Sequence, residues 1–229
     1  MGYGEMGDEE KAGTKLKAGS SGQPPRRARK SPFPIPHSPF PLFGHTRFSV
    51  LSRLLISPDR RYYQQQLIDH AGTGQGAVQR ELAQLAAAEI ILRVREGRQI
   101  YFQANARHPF FPELRGLAIK GTSVDAVIAQ SLEQLAPEID LAMIYGGAAR
   151  ATPGRLGDIE LLIIAPLAYS DVANALFDLQ KYWQREVRQT IIPMREFRTR
   201  LRAHDPFLIG VMRGPRKLLI GSDKVLDLS

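Results

Sequence analysis

Apolar residues recur at helical intervals through the first half of the chain. Leu42, Phe48, Leu51, Leu54 and Leu55 share one helix face, and Ser57-Pro58-Asp59 stops that helix. Leu67 and Ile68 mark the inner side of a second, shorter helix, while Val78, Leu82, Leu85 and Ala86 form the buried stripe of a third. Gly72 lies between them and supplies the backbone freedom for a sharp turn. After Glu89 the period changes to alternation, with Ile90, Leu92 and Val94 expected on one side and Arg93 and Arg95 on the other. A hairpin turn is predicted at Glu96-Gly97, with Ile100 and Phe102 on the return strand. Pro109 and Pro112 then introduce a short helix through Leu114, Leu117 and Ile119 that ends near Gly121.

In the second half helices and strands alternate. Thr122 is expected to cap a helix carrying Val124, Val127, Ile128, Leu132 and Leu135, closed by Pro137. Residues 139–145 read as a buried strand running into Gly146-Gly147-Ala148-Ala149-Arg150, a loop of small residues. Thr152-Pro153-Gly154 follows, then a second strand from Asp158 to Ile164. A helix at 171–183, a strand at 187–192, a helix at 195–202 and a hydrophobic return at 217–220 complete the pattern. The expected class is α+β: a helical unit with a hairpin at 42–121, followed by an α/β unit at 122–229. Residues 1–41 are rich in Gly, Ser, Lys and Pro and are expected to be disordered, with Arg26-Arg27-Ala28-Arg29-Lys30 as a basic arm.

Charge sharpens this division. The net charge of +8 is distributed as seven basic and four acidic residues in 1–44, eleven and six in 45–121, and thirteen of each in 122–229. The excess lies where binding to a phosphate backbone would need it. The chain has no cysteine, which excludes disulfides and thiolate metal sites. No apolar run approaches the roughly 20 residues that cross a bilayer, so a cytoplasmic protein without a membrane partner is expected. The histidines are scattered without ligand spacing.

The polar side of the third helix carries the first candidate chemistry. Gln75, Gln79 and Arg80 surround its first turns, and such side chains make paired hydrogen bonds to adenine and guanine edges in a major groove. Arg93, Arg95 and Arg98 crowd the hairpin, where arginine suits phosphate contact or minor-groove insertion. Any one of these residues alone reads as a solvated surface group. Their order, helix, glycine turn, helix and arginine-rich hairpin, points to double-stranded DNA as the partner.

The stretch from about Phe43 to Lys120 resembles the winged helix-turn-helix of ArsR-like transcriptional regulators, through Gln-Gly-Ala-Val-Gln-Arg-Glu-Leu-Ala-Gln-Leu and Arg-Glu-Gly-Arg-Gln-Ile-Tyr-Phe-Gln-Ala-Asn. The resemblance implies a recognition helix reading DNA with Gln75, Gly76, Gln79 and Arg80, wing contacts from Arg93, Arg95 and Arg98, and a homodimer, with the helix at 109–120 as the candidate dimer element. The metal-sensing cysteines known in some of these regulators are absent.

A second resemblance covers about residues 122–221. Gly146-Gly147, followed after ten residues by Asp158-Ile159-Glu160, within Tyr-Gly-Gly-Ala-Ala-Arg and Asp-Ile-Glu-Leu-Leu-Ile, is similar to the signature of minimal nucleotidyltransferase domains, in which Gly-Ser precedes an Asp-x-Asp pair. Residues i and i+2 of a strand share a side, so Asp158 and Glu160 present two carboxylates together. The resemblance implies Mg²⁺ at that pair and an NTP whose phosphates meet Gly146, Gly147 and Arg150. Three departures stand against it: Gly147 in place of the serine, Glu160 in place of the second aspartate, and no acid in Val187-Arg188-Gln189-Thr190-Ile191-Ile192, where a third carboxylate is expected. The reading of the whole is a sequence-specific DNA-binding transcriptional regulator whose nucleotidyltransferase-like domain is inactive or senses a nucleotide. The alternative is an active Mg²⁺-dependent nucleotidyltransferase that modifies a protein or small molecule.

Overall fold

A computed structural model describes residues 42–150 and 157–222. The basic arm and the Thr152-Pro153-Gly154 segment lie outside the described residues. The fold is mixed α/β with two sheets.

Helix α1 (His45–Ile56) is followed by a short strand β1 (Tyr62–Tyr63), then α2 (Gln64–Ala71) and α3 (Gln75–Ala87). Gly72 takes φ +62 at the C-cap of α2 and returns its N–H to the carbonyl of Ile68, a left-handed conformation that glycine adopts without penalty. Strands β2 (Ile91–Glu96) and β3 (Gln99–Ala104) form an antiparallel hairpin, and β1 pairs with β3, giving the order β1-β3-β2. The hairpin turn lies at Gly97-Arg98, one residue later than expected, with Gly97 at φ +60.

The two sides of β2 divide as expected, except that Ile90 lies outside the strand. Ile91 is buried and Leu92 is 42% exposed, so Ile91, Arg93 and Arg95 share one side while Leu92 and Val94 share the other. The cause sits at the end of α3. Glu89 turns to φ +57, Glu89 N–H donates to the Ala86 carbonyl and Ile90 N–H to that of Leu85. This Schellman closure takes Ile90 out of the strand. The strand begins one residue later, at the buried Ile91, whose side of the strand is the one shared by Arg93 and Arg95.

Helix α4 (Phe111–Gly121) was the expected dimer element. One face of it packs on α1 and on α6 of the same chain, with Gly116, Ala118, Ile119 and Gly121 buried, and a single chain does not test the dimer contact. Helix α5 (Val124–Ser131) has Ser123 rather than Thr122 at its N-cap position, without a side-chain cap bond, and ends earlier than expected, its last apolar residues passing into a turn.

The second sheet has the order β6-β5-β4-β7, with β4 (Leu141–Tyr145) antiparallel to both β5 (Ile159–Ile164) and β7 (Arg216–Ile220), and β6 (Val187–Ile192) parallel to β5. Helix α6 (Tyr169–Trp183) makes the crossover between the parallel strands. Helices α7 (Met194–Arg202) and α8 (Pro206–Arg213) precede β7. Helix α8 was not expected from the apolar pattern; Asp205 caps it by accepting from Leu208 N–H, and Pro206 occupies its first turn.

Both faces of this sheet are buried. Ala142, Ile144, Leu161, Ile163 and Leu219 belong to a core that continues through α5 and α6 to Leu54, Leu67, Val78 and Leu82 in the first half. Leu141, Met143, Leu162 and Ile164 pack on the other side against Phe197 of α7 and Leu208 and Val211 of α8. The first core is tied across by Arg53 and Arg60, both paired with Glu133 and both lying over the Tyr62 ring, and by Arg115 on Asp178.

Candidate functional site

Helix α3 buries Val78, Leu82 and Leu85 and turns Gln75, Gly76, Gln79 and Arg80 to solvent. On its flank toward α1 the polar groups are committed within the fold: Arg47 binds Glu81 at 2.7 Å and Gln84 at 2.6 Å. Gln75, Gln79 and Arg80 carry no hydrogen bond or ion pair with any of the described residues. A Cβ added to Gly76 would meet nothing within 4 Å, so packing does not require glycine there. The N-cap residue is Gly74, whose lack of a side chain leaves the first-turn N–H groups without a side-chain cap.

The hairpin adds Arg93, Arg95 and Arg98, all exposed. Arg95 donates to the carbonyl of Gly97 at 3.2 Å, whereas Arg93 and Arg98 have no partner among the described residues. Arg61, by contrast, is held by Glu96. Tyr63 and Tyr101 stack at 4.4 Å between ring centroids and bond through their hydroxyls and Gln99, fixing the sheet that carries the hairpin.

On α2, His70 is half-buried. Its Nε2 is buried without a hydrogen-bond partner, and burial, aided by the nearby Arg53 charge, lowers its pKa to about 4.

The second candidate site lies at the start of β5. Asp158 and Glu160 fall on the sheet side that packs on α7 and α8, as the i and i+2 spacing requires. The parallel register places Arg188 of β6 beside Glu160, and its guanidinium bonds Asp158 at 2.9 Å and Glu186 at 3.2 Å. The Glu186 hydrogen bond, then Asp158, raises the pKa of Arg188 further. The pair is exposed and contributes little to stability; its consequence is local neutralisation of the carboxylates.

Gly146 and Gly147 begin a 3-10 turn ending at Arg150. Gly146 takes φ +70, and a Cβ there would fall 2.0 Å from the Glu160 Oε2 atom, so the glutamate folds closely over this backbone. Gly147 and Arg150 are exposed, and Arg150 meets no partner among the described residues. Tyr145 is paired with Glu160 across β4 and β5; burial raises its hydroxyl pKa, with Thr190 lowering and Glu160 raising it. Beside this group, a cavity of about 320 Å³ is lined by Met143, Gly214, Arg216 and Leu218.

This arrangement does not fit Mg²⁺. Octahedral coordination wants carboxylates free to turn on one point, while Asp158 is held by a guanidinium and Glu160 lies over Gly146. Among the described residues no three His, Cys, Asp or Glu side chains converge as a metal site. The position from which a third carboxylate was expected carries the opposing charge.

No helix among the described residues is long and apolar enough to cross a membrane. No protein-family model matches the chain, and no curated protein matches it. Among solved structures, the chain is similar to one described as the toxin-antitoxin MntA-HpeT mutant, at 18% identity over 44% of this chain and 75% of that one, with a TM-score of 0.31.

Proposed function

We propose that the protein is a sequence-specific DNA-binding transcriptional regulator whose first half works as an ArsR-like winged helix-turn-helix. The observation that carries this reading is the outward face of α3. Its glutamines and arginine have no partner inside the described fold, although the neighbouring Glu81 and Gln84 are both held by Arg47. In this reading α3 enters the major groove with Gln75, Gln79 and Arg80 at base edges, Gly76 lets the backbone approach closely, and Arg93, Arg95 and Arg98 hold phosphates beside it. The second half, nucleotidyltransferase-like in its Gly-Gly and Asp-x-Glu segments, is a structural support without nucleotidyl transfer, because Arg188 holds Asp158.

Selection of the full chain against a randomised duplex library tests this directly. The expected result is one enriched motif, bound by the wild type and lost in Arg80→Ala by about 5- to 150-fold, the range of a good bidentate base contact. Recovery of no common sequence at physiological salt overturns the reading.

A further inference from the structure

The balanced charge of residues 122–229 conceals a segregation. Glu196 of α7 and Asp205, the N-cap residue of α8, both bind Arg200 of α7, at 3.4 and 3.0 Å. Arg195, Arg198 and Arg202 are exposed and have no acidic partner among the described residues. At about 100° per residue these three fall within about 60° of one another, along about 10 Å of helix. The one acid of this helix and the Asp205 that follows it are thus spent on one arginine, and a stripe of three uncompensated guanidinium groups remains.

We infer that this stripe is a second nucleic-acid contact, which grips the phosphate backbone of a duplex without reading its sequence. Two observations select that partner. The apolar residues of α7 are turned inward: Phe197 is fully buried, and Met194 and Leu201 pack on the same core. None is left to enter a lipid surface, as an interfacial helix requires. Nor does α7 present an exposed large apolar side chain, which a protein interface would use at its centre. Backbone binding to a duplex needs neither, only local positive charge.

The position of α7 adds a consequence. It covers the sheet face opposite to the core shared with α1 and α3, so the two contacts belong to different cores, and as part of the same inference they hold separate duplexes or distant segments of one.

The test uses the full chain and a 30-base-pair duplex of mixed sequence, followed by fluorescence anisotropy across salt concentrations. In the variant Arg80→Gln/Arg93→Gln/Arg98→Gln, residual binding is expected, with a log–log salt slope close to three released counterions, about −2.7. Adding Arg195→Gln/Arg198→Gln/Arg202→Gln abolishes it. In the wild type, energy transfer between two differently labelled duplexes reports bridging, and the α7 substitutions alone remove that signal. Circular dichroism confirms that the variants fold. Residual binding that survives the α7 substitutions overturns the inference, as does the absence of residual binding at 20 mM salt. Failure of the α3 reading looks different: the first variant then binds like the wild type, and the α7 substitutions still remove the binding.

Discussion

The outward face of α3 and the carboxylates of β5 treat charge in opposite ways. At α3 the fold secures Glu81 and Gln84 through Arg47 and leaves Gln75, Gln79 and Arg80 without a partner. At β5 the carboxylate of Asp158 meets Arg188 from the adjacent strand, and Glu160 is folded over Gly146. A group left uncompensated at the surface costs nothing while water solvates it and is ready to exchange that water for a ligand. A group neutralised by a neighbour must first be released. Of two sites suggested by sequence, the one with polar groups left over therefore supports the stronger functional claim.

The comparison breaks most sharply in DNA binding. Arg80→Ala/Arg93→Ala/Arg98→Ala is expected to remove motif recognition, each single change costing about 1–3 kcal/mol at a base contact or one counterion's worth of salt slope at a phosphate. Asp158→Ala is expected to leave affinity for the same motif within twofold. Equal losses in both, measured by anisotropy at fixed salt, would erase the distinction.

Acid provides the next largest effect, and it acts through His70 at the end of α2. His70 has a folded pKa of about 4 against an ordinary 6.5, so the unfolded chain binds the proton more readily. Its contribution is therefore fully present above pH 6.5 and is lost as pH falls from 6.5 toward 4, on the order of 3 kcal/mol in all. Urea midpoints for the wild type should fall across that window. His70→Leu should flatten this part of the pH profile, and an unchanged profile would show that the imidazole is not buried as described.

At the second site the prediction is a gain. Wild-type protein is expected to bind no Mn²⁺ in millimolar titrations, whereas Arg188→Asp removes the cation and supplies a third acid beside Asp158 and Glu160, in register with Glu160. Measurable Mn²⁺ binding is expected in this variant, at about 10–100 μM if three carboxylates coordinate together. Tight Mn²⁺ binding by the wild type, lost in Asp158→Ala, would show that Arg188 does not close the site.

How far these sites were legible in sequence depends on the range of the interactions that make them. Local spacing sufficed for α3, whose stripe of Val78, Leu82 and Leu85 is buried as expected, for β6, found at the expected residues 187–192, and for the shared side of Asp158 and Glu160. The division of Leu92 and Val94 from Arg93 and Arg95 was local too, but the strand start at Ile91 rather than Ile90 depended on a helix-end closure at Glu89 and Ile90. Helix α8 was overlooked although Asp205-Pro206 is a start signal, since only Leu208 and Val211 are buried along its short length. The pairing of Arg188 with Asp158 needed the strand order and the parallel register, which no local pattern contains. The packing of α4 within the chain likewise depended on α6, more than fifty residues away in sequence.

Two glycines give the finest test of the comparison. Gly146 is required by its surroundings: its φ of +70 disfavours any side chain, and the Glu160 carboxylate occupies the place of a Cβ. Gly146→Ala is expected to destabilise the fold by about 1–2 kcal/mol from backbone conformation, with little added by Glu160, whose flexible end can swing away. Gly76 lies in the first turn of α3 with open space about it, where alanine is the better helix former by up to about 1 kcal/mol. Gly76→Ala should therefore raise the melting temperature slightly while weakening motif binding, because the added methyl group stands between the helix backbone and the groove. Stabilisation with unchanged affinity would show that α3 does not approach a ligand through this face, and the outward polar groups would then be surface residues alone.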